Sequence, residues 1–539
     1  MLMSAADYRE SLRRYRPAVY VDGRRIDSVA DEPALAPGVN AIGVSYDFAL
    51  RESSRDMLRA QTPDFPSPVN RMLAIPRSSG DLLNKLEAVR LLCQETGCAQ
   101  RYLGGDALTA LFHGTQCIDA DAGSDYHARL IDYLQHVYAN DLTLGIAMTD
   151  AKGDRSLRPS QQSQPGSYVH IVERRGNGIM ISGTKAIVTS APYVHELLVM
   201  PCRDMRESDQ AFAVCCAVPV DAPGLTIVAR PAGRPGEAAA KFSSKYGQST
   251  GVCMFDRVFV PWDRVFCAGE WNTASEILYD YTSQHRQTCI AARAGFGDLL
   301  IGAGALVTEA NGLDLDRAHG LRDAMIDLIK IVEGFYACGV AASVYSKTTP
   351  AGSVTPDPVF ANIGKLLMAT QIYDMHRLAH QVSGGMIVTL PGPDEDHNPA
   401  TAGRLSDMLT ARSDIPYEKR IEVARFIEDL TASYQAGWYS VISLHGGGSP
   451  EAMKMEIYRH YPIGDKVDLV ERLLDRGVFA DATRKITRSR QPGRCCTIGC
   501  LAPDTPRRIA LPDTHVGGPP REGSASPLKH APTDDIAAD

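Results

Sequence analysis

Apolar residues recur every three to four positions through the first part of the chain. The pattern is clearest in residues 81–112 and 125–141, where one face of each segment is apolar. This spacing matches the period of an α-helix that packs against a core by one face. Residues 1–141 are therefore predicted to form a helical N-terminal domain.

The period changes to two in the middle of the chain. Apolar and polar side chains alternate in residues 167–187, 195–201, 211–220 and 251–266. Gly176-Asn177-Gly178 has the composition of a tight hairpin turn. Residues 142–270 are therefore predicted to form a β domain, either a barrel or a sandwich.

Helical periodicity returns after Trp271 and continues to about Leu474. Residues 271–490 are predicted to form a C-terminal helical bundle, with breaks at Gly and Pro. Residues 491–539 are rich in Pro, Gly and Ser, which favours an extended or disordered tail. The predicted fold class is α+β, with the domain order helical, β, helical.

Composition and charge narrow the class of protein. Of the 539 residues, 44% are hydrophobic and 22% charged, which is typical of a globular protein. The net charge is −8 and no dense Lys/Arg run occurs, so neither nucleic acid nor an anionic membrane is an expected partner. No secretory signal and no run of about 18 apolar residues is recognised, so a cytoplasmic protein is expected.

The cysteines do not suggest a disulfide framework. There are 13, an odd number without regular spacing, so most thiols are expected to be reduced. Cys495, Cys496 and Cys500 lack a fourth ligand at a suitable distance in the sequence, and a metal site there is not expected.

Two common cofactor motifs and one hydrolase motif are absent from the sequence. It contains no G-x-x-x-x-G-K-[ST], and no G-x-G-x-x-G lies between a strand and a helix, so a nicotinamide site of the Rossmann type is disfavoured. Residues 445–448 (HGGG) resemble the oxyanion loop of a hydrolase. No G-x-S-x-G elbow supplies the nucleophile, so a serine hydrolase is disfavoured.

The loop of residues 147–156 (AMTDAKGDRS) opens the predicted β domain with polar and charged residues. Backbone N–H groups and the Thr149 hydroxyl could bind the edge of a flavin ring, with Lys152 or Arg155 near an anionic cofactor. From the spacing alone, a solvated surface loop is equally consistent with this composition.

This loop resembles the M-T-D-P-K-G-D-R loop of 4-hydroxybutyryl-CoA dehydratases, and the phenol hydroxylases carry a related N-P-x-x-D-R. Further similarity occurs, in the same order along the chain, in residues 8–20, 100–107, 183–189, 255–261, 285–287 and 445–450. The chain is identified as a member of the 4-hydroxyphenylacetate 3-hydroxylase / 4-hydroxybutyryl-CoA dehydratase family. The resemblance implies an acyl-CoA dehydrogenase-like fold, with FAD between the β domain and the C-terminal helices.

The resemblance also implies which residues bind FAD. They are Met148, Thr149, Asp150, Lys152, Arg155, Thr189, Ser383, Gly384 and Gly385. The last three belong to a Q-x-x-G-G-like motif, residues 381–386, which acyl-CoA dehydrogenases use at the cofactor of a neighbouring subunit. A homotetramer, or a dimer, is therefore expected.

Departures from the dehydratase pattern concern its [4Fe-4S] cluster, which is held by three Cys and one His. Cys98 and His285 match two of these ligands, but Tyr102 and Ala292 stand at the other two. Two ligands cannot hold a cubane cluster, so no iron-sulfur cluster is expected and no metal ligand is assigned.

Other catalytic residues of the dehydratase are also replaced. Its Tyr falls at Cys289, its Lys at Arg293, and its two Glu at Thr250 and Ile442. The residues that would supply the acid or base are replaced, and so are two ligands of the cluster that would supply the Lewis acid. The dehydratase reaction is therefore not expected.

The predicted function is that of a two-component flavin monooxygenase. A separate flavin reductase would deliver reduced FAD, and an aromatic or electron-rich small molecule would be oxygenated. Arg101 is expected to anchor the substrate, while His285 and Tyr102 exchange a proton. Alternatives remain: His285 as a hydrogen-bonding core residue, and Cys98 and Cys289 as inert buried thiols.

Two other functions remain open at this point. One is a cluster-free flavoenzyme, such as a double-bond isomerase or dehydratase-like enzyme, acting on an acyl-CoA thioester. The other is a binding protein without flavin.

Overall fold

The computed structural model describes residues 2–474, which fall within one compact unit. The predicted tail, residues 491–539 with Cys495, Cys496 and Cys500, lies outside the described residues. The N-terminal part contains, in chain order, α1 (Ala5–Leu12), β1 (Ala18–Val21), β2 (Arg24–Arg25), α2 (Ala36–Leu50), α3 (Arg55–Leu58), β3 (Arg59–Thr62), β4 (Phe65–Asn70), α4 (Ser79–Thr96), α5 (Tyr102–Ala122) and α6 (Tyr126–Asn140).

The middle part is built from strands. It comprises β5 (Leu144–Ala147), β6 (His170–Arg175), β7 (Gly178–Thr189), β8 (Glu196–Val199), β9 (Val214–Pro219), β10 (Leu225–Ala229), α7 (Lys241–Lys245), β11 (Thr250–Pro261) and β12 (Val265–Ala268). Two sheets result, one of six strands in the order β2-β1-β10-β11-β7-β6 and one of four in the order β12-β9-β8-β5.

The N-terminal part also contributes to the larger sheet, which its helical periodicity did not predict. β1 runs parallel to β10, with Ala18 opposite Thr226, and β2 pairs antiparallel to β1. Strands of four and two residues are too short to show a period of their own.

The C-terminal part is helical. It contains α8 (Ala274–Ala310), α9 (His319–Val344), β13 (Lys347–Thr348), β14 (Val354–Thr355), α10 (Pro358–Ser383), α11 (Ala402–Leu409), α12 (Tyr417–Thr431), α13 (Tyr434–His445), α14 (Pro450–His460) and α15 (Ile463–Leu473). The order of helices, sheets and helices agrees with the predicted α+β class.

Polar residues fix where several helices begin. Ser4 forms a reciprocal capping box with Asp7 at α1, and the side chains of Asp357 and Ser433 accept backbone N–H groups at the starts of α10 and α13. Such caps satisfy N–H groups that have no partner within the helix.

α8 is the central element of the C-terminal part. It is long and apolar enough to cross a membrane by length and composition, but 67% of its most apolar window is buried within the protein. That burial is typical of a core helix. α8 packs against α4, α5, α9 and α10. Its polar side chains are therefore largely enclosed by other helices of the protein.

Candidate active site

A cavity of about 770 Å³ lies where the three parts of the chain meet. Its walls come from the loop after β5, the end of β7, the start of α5, the first half of α8 and the segment from α13 into α14. A volume of this size is sufficient for a cofactor ring and a small substrate.

Six of the nine residues predicted to bind FAD line this cavity: Met148, Thr149, Asp150, Lys152, Arg155 and Thr189. Ser383, Gly384 and Gly385, at the end of α10, do not line it. Their predicted contact is with the cofactor of a neighbouring subunit, so it stays a prediction.

The loop after β5 is fixed by a buried ion pair. Nζ of Lys185 on β7 lies 2.8 Å from Oδ1 of Asp150 and donates to the carbonyl oxygens of Met148 and Met200, each at 2.8 Å. The backbone N–H of Val169 donates to the same Asp150 oxygen at 2.9 Å. The Asp150 carboxylate therefore shapes the loop from within the protein.

Other polar groups of this wall remain free. The hydroxyls of Thr149 and Thr189 and the cationic ends of Lys152 and Arg155 have no hydrogen-bond or ion-pair partner within residues 2–474. Beside them Ile187 is 59% exposed and has a φ of 57°. A β-branched residue in this conformation is strained, and such strain is concentrated at functional sites.

The opposite wall carries acid–base groups on one face of α8. His285 lies one helical turn before Cys289, whose Sγ is 3.2 Å from Nε2 of His285 and 3.6 Å from Nδ1. Nδ1 also lies 3.5 Å from Oδ2 of Asp106 on α5. Asp106 is held in turn by Lys85 at 2.7 Å and by the Thr288 hydroxyl at 2.6 Å.

These contacts favour the imidazolium form of His285 and the thiolate form of Cys289. Burial opposes protonation of His285, but the neighbouring Cys289 thiolate and Asp106 carboxylate outweigh it and raise the pKa of His285 to about 9. Burial likewise disfavours the Cys289 thiolate, but the His285 imidazolium lowers the pKa of this thiol below its usual value. The contact between the two groups therefore favours an ion pair of thiolate and imidazolium.

Two aromatic rings lie nearly parallel to the imidazole. The Tyr281 ring stacks on His285 with centroids 5.4 Å apart, and the Tyr102 ring lies at 6.2 Å with an interplanar angle of 20°. Burial raises the pKa of Tyr102 well above its usual value, so its hydroxyl stays protonated. The structure thus brings the predicted pair His285 and Tyr102 together.

The third predicted catalytic residue, Arg101, is not part of this group. Its side chain is fully buried and does not line the cavity. Its guanidinium pairs with the Asp141 carboxylate, donates to the Asp141 carbonyl at 2.8 Å, and lies 3.7 Å from the ring centre of Tyr46. Because the side chain is enclosed away from the cavity and pairs with Asp141, the geometry does not support Arg101 as a substrate anchor.

Arg293 is the cavity cation that the sequence reasoning did not assign a role. It is 4% exposed, lines the cavity, and forms no ion pair within 4 Å in the described part of the chain. Its Nε and Nη1 have no hydrogen-bond partner there, while its Nη2 donates to the Cys98 sulfur at 3.9 Å. Arg293 follows Cys289 by four residues and His285 by eight, so the three side chains share one face of α8. This spacing could have indicated from the sequence that Arg293 lies beside them.

The two remaining family cluster positions have other partners. The thiol of Cys98 accepts a hydrogen bond from Nε2 of Gln100 at 2.8 Å. A hydrogen bond with Cys93 lowers the pKa of Cys98 to about 7, against the effect of burial. Within the described residues, no three His, Cys, Asp or Glu side chains are grouped to hold a metal ion.

The glycine run after α13 closes the cavity over His285. The carbonyl of Gly447 accepts a hydrogen bond from Nε of Arg286 at 2.9 Å. Gly447 has a φ of 75°, and a Cβ there would lie 3.1 Å from Cδ2 of His285. A residue without a side chain is required at this close approach, which accounts for the run without a hydrolase mechanism.

Comparison with known proteins agrees with this architecture. Residues 4–267 match the family described as 4-hydroxyphenylacetate 3-hydroxylase N terminal, and residues 274–475 match its C terminal counterpart. Two solved structures share the fold. A 4-hydroxybutyryl-CoA dehydratase from N. maritimus has a TM-score of 0.85 at 34% identity, covering 88% of this chain and 95% of the other. The oxygenase component of 4-hydroxyphenylacetate 3-monooxygenase, complexed with FAD, has a TM-score of 0.77 at 19% identity, covering 89% and 99%.

Relatives in sequence fall into the same two groups. The 4-hydroxybutyryl-CoA dehydratase/vinylacetyl-CoA-Delta-isomerase of Clostridium aminobutyricum is 33% identical over 491 residues, covering 88% of this chain and 99% of the relative. The 4-hydroxyphenylacetate 3-monooxygenase oxygenase component of Thermus thermophilus is 22% identical over 479 residues, covering 88% and 94%. The predicted family and fold are confirmed: this chain belongs to the 4-hydroxyphenylacetate 3-hydroxylase family and has an acyl-CoA dehydrogenase-like fold.

Proposed function

We propose that the protein is an FAD-dependent oxygenase that receives reduced FAD from a separate reductase and acts on a small anionic or carbonyl-bearing molecule. The observation that carries the proposal is that one cavity has two complementary walls. One wall presents free hydroxyls and cations, and the other presents a protonated His285 and an unpaired Arg293.

The first wall fits FAD. Thr149 and Thr189 offer hydroxyls without partners, and Lys152 and Arg155 offer positive charge for a diphosphate. Ile187 supplies an exposed apolar surface for the flavin ring. When bound in its reduced form, FAD supplies the electrons with which O2 is activated.

The second wall fits a polar substrate. A buried guanidinium without a carboxylate partner is costly, so binding an anionic or carbonyl oxygen at Arg293 offsets its desolvation. The His285 imidazolium can donate a proton at Nε2, and the Tyr102 hydroxyl can donate a hydrogen bond beside it. The glycine run packs closely against His285 and forms this side of the cavity.

The assembly and partner follow from the same proposal. No nicotinamide-binding motif is recognised in the sequence, so a separate reductase supplies reduced FAD. Gly384 and Gly385 lie away from the cavity of their own chain and are exposed, so they can contact the FAD of a neighbouring subunit in a homotetramer or dimer, whereas Ser383 is buried and bonds to His380.

Oxygen consumption tests the proposal. The protein is mixed with chemically reduced FAD, and O2 uptake is followed with a series of phenols and other small aromatic acids. We expect at least one substrate to give an oxygenated product in proportion to the O2 consumed. If no substrate raises the yield of product above that of free reduced FAD, the oxygenase assignment is wrong.

A second candidate is favoured by the 33% identity to a dehydratase/vinylacetyl-CoA-Delta-isomerase, which exceeds the 22% identity to an oxygenase component. This is a cluster-free isomerase of acyl thioesters, in which His285 would move a proton. Anaerobic conversion of vinylacetyl-CoA to its conjugated isomer, with oxidised FAD and no reductant, would distinguish the isomerase from the oxygenase.

A further inference from the structure

Three reactive side chains share one face of α8 and open into the same cavity. His285, Cys289 and Arg293 follow one another at intervals of four residues, and all three line the cavity. Side chains with this spacing have Cβ atoms roughly 5–6 Å apart. The thiol therefore lies between an acid on one side and a cation on the other.

Cys289 is distinguished from the other cavity thiol by its neighbours. Its sulfur lies 3.2 Å from Nε2 of His285, and this imidazolium lowers the pKa of the thiol. Cys202 also lines the cavity, but burial raises its pKa to about 11, and the nearby Asp150 carboxylate adds to the rise. Only the thiolate is a strong nucleophile, so Cys289 is the reactive member of the two.

Arg293 is the independent sign that a ligand belongs here. Its Nη2 lies 3.9 Å from the Cys98 sulfur, but its Nε and Nη1 are buried and lack hydrogen-bond partners within the described residues. Nε and Nη1 of Arg101 also lack partners, but only Arg293 of the two lines the cavity. A native structure satisfies such donors, so an acceptor on a bound molecule is expected.

We propose that Cys289 is a nucleophile that adds to the carbon–carbon double bond of an α,β-unsaturated carbonyl compound, with His285 as the proton donor and Arg293 as the binding site for the carbonyl oxygen. The thiolate electron pair forms the bond from sulfur to the β-carbon. The π electrons move toward the carbonyl oxygen, giving an enolate whose charge Arg293 stabilises. His285 then delivers its proton from Nε2 to the α-carbon, so the thiol is added across the double bond without oxidation or reduction.

The alternative of acyl transfer fits the geometry less well. In acyl transfer the negative oxygen forms on the carbon that sulfur attacks, and backbone N–H groups commonly bind it there. Cys289 lies in the middle of α8, where the backbone N–H groups are used in helical hydrogen bonds. In conjugate addition the charge forms two carbons further away, which suits a cation one helical turn from the sulfur.

Competition between two thiols of one cavity provides the test. The full-length protein as purified is treated with acrylamide at pH 7, and the rates at Cys289 and Cys202 are compared by peptide mass spectrometry. We expect Cys289 to react about tenfold faster or more, because the His285 imidazolium raises its thiolate fraction, whereas burial and the Asp150 carboxylate lower the thiolate fraction of Cys202. Equal rates at Cys289 and Cys202 would overturn the proposal.

Two variants separate the roles of the neighbours. In His285→Gln, Cys289 should react more slowly with both acrylamide and iodoacetamide at pH 7 and recover as the pH is raised. In Arg293→Gln, the rate with acrylamide should fall at least about tenfold. Its rate with iodoacetamide should not change, because displacement of iodide places no charge on a carbonyl oxygen.

Equal slowing with both reagents in Arg293→Gln, in protein whose circular dichroism and melting temperature match the wild type, would show a structural role and refute the proposal. Arg293→Lys, which keeps the charge, should retain part of the acrylamide rate. These measurements use neither O2 nor reduced FAD, so their outcome is independent of the oxygenase assignment.

Discussion

Asp106 on α5 and His285 on α8 face each other, with Oδ2 of the carboxylate 3.5 Å from Nδ1 of the imidazole. The other carboxylate oxygen is 2.7 Å from Nζ of Lys85, so a buried cation holds Asp106 in place. The imidazolium therefore owes part of its stability to a residue on a different helix. Because the folded-state pKa of His285 is raised to about 9, its protonation stabilises the fold fully below about pH 6.5, and this contribution is lost as the pH rises through about 9.

Asp106→Asn tests this arrangement. We expect His285 to titrate at lower pH, as followed by NMR of ¹⁵N-histidine-labelled protein with His285→Gln to assign the signal. The variant should also lose about 3–5 kcal/mol of unfolding free energy, because Lys85 becomes an unpaired buried charge. Replacing Lys85 by Met as well should restore much of the stability but not the pKa. An unchanged His285 titration would contradict the role given to Asp106.

The second prediction concerns the cavity wall that we propose binds FAD. Arg155 lines the cavity and has no partner among residues 2–474, so Arg155→Ala should weaken FAD binding by removing charge-assisted contacts worth about 1.5–3 kcal/mol, or at least tenfold in Kd. Fluorescence titration with FAD measures the change. Arg158 on the same segment is the matched control, since its guanidinium pairs with Asp209. Arg158→Ala should affect stability more than FAD affinity, and equal effects of both variants would argue against a specific contact.

The sequence predicted elements better than the directions of side chains. Periodicity predicted the helical and β regions, and the resemblance picked out the loop of residues 147–156, which lines the cavity, because both depend on local patterns. Arg101 and Tyr102 show what was not predictable. They are adjacent in sequence, yet Tyr102 enters the cavity as the first residue of α5, while Arg101 before it turns toward Asp141. Asp141 is 40 residues away, and a pairing of that range leaves no periodic signal.

Two residues of α8, Cys289 and Arg293, show the opposite outcome: the sequence suggested no catalytic role for them, yet both line the cavity. The family resemblance identified Arg293 only as a replacement for a lysine of the dehydratase, and the contact between Cys289 and His285 depends on rotamers that spacing does not fix. An inert thiol was therefore the more plausible prediction for Cys289. The structure adds the contacts that spacing did not show: Asp106 and the ring of Tyr281 lie against the imidazole, whose Nε2 is 3.2 Å from the sulfur.

The third prediction concerns iron. Protein purified without oxygen should contain no stoichiometric iron, because Tyr102 and Ala292 stand at two cluster positions and the other two side chains are engaged. Cys98 is bound by Gln100 at 2.8 Å, and His285 lies against Cys289. Elemental analysis by mass spectrometry measures this. About four iron atoms per chain, with the broad visible absorbance of a cluster, would show that the prediction is wrong.

The last prediction contrasts two buried arginines. Arg101 is paired with Asp141 outside the cavity, whereas Arg293 lines the cavity and has no ion-pair partner in the described chain. Arg101→Met should therefore lower the unfolding free energy by about 3–5 kcal/mol, since it leaves a buried carboxylate unpaired, but the folded fraction should couple O2 use to product normally. Arg293→Met removes only a long contact with the Cys98 sulfur, 3.9 Å from Nη2, and leaves no carboxylate unpaired, so its stability should change less than that of Arg101→Met.

The coupling of O2 use to product formation should show the opposite order, with a loss in Arg293→Met and none in Arg101→Met. Without Arg293 the substrate loses the group that holds its anionic or carbonyl oxygen, and reduced FAD should consume O2 with release of hydrogen peroxide instead of product. Denaturant unfolding, O2 uptake and peroxide assays on the two variants give a two-by-two comparison. If Arg101→Met uncoupled the reaction and Arg293→Met did not, the substrate would be anchored from the far side of α5 and the present assignment of the cavity walls would be incorrect.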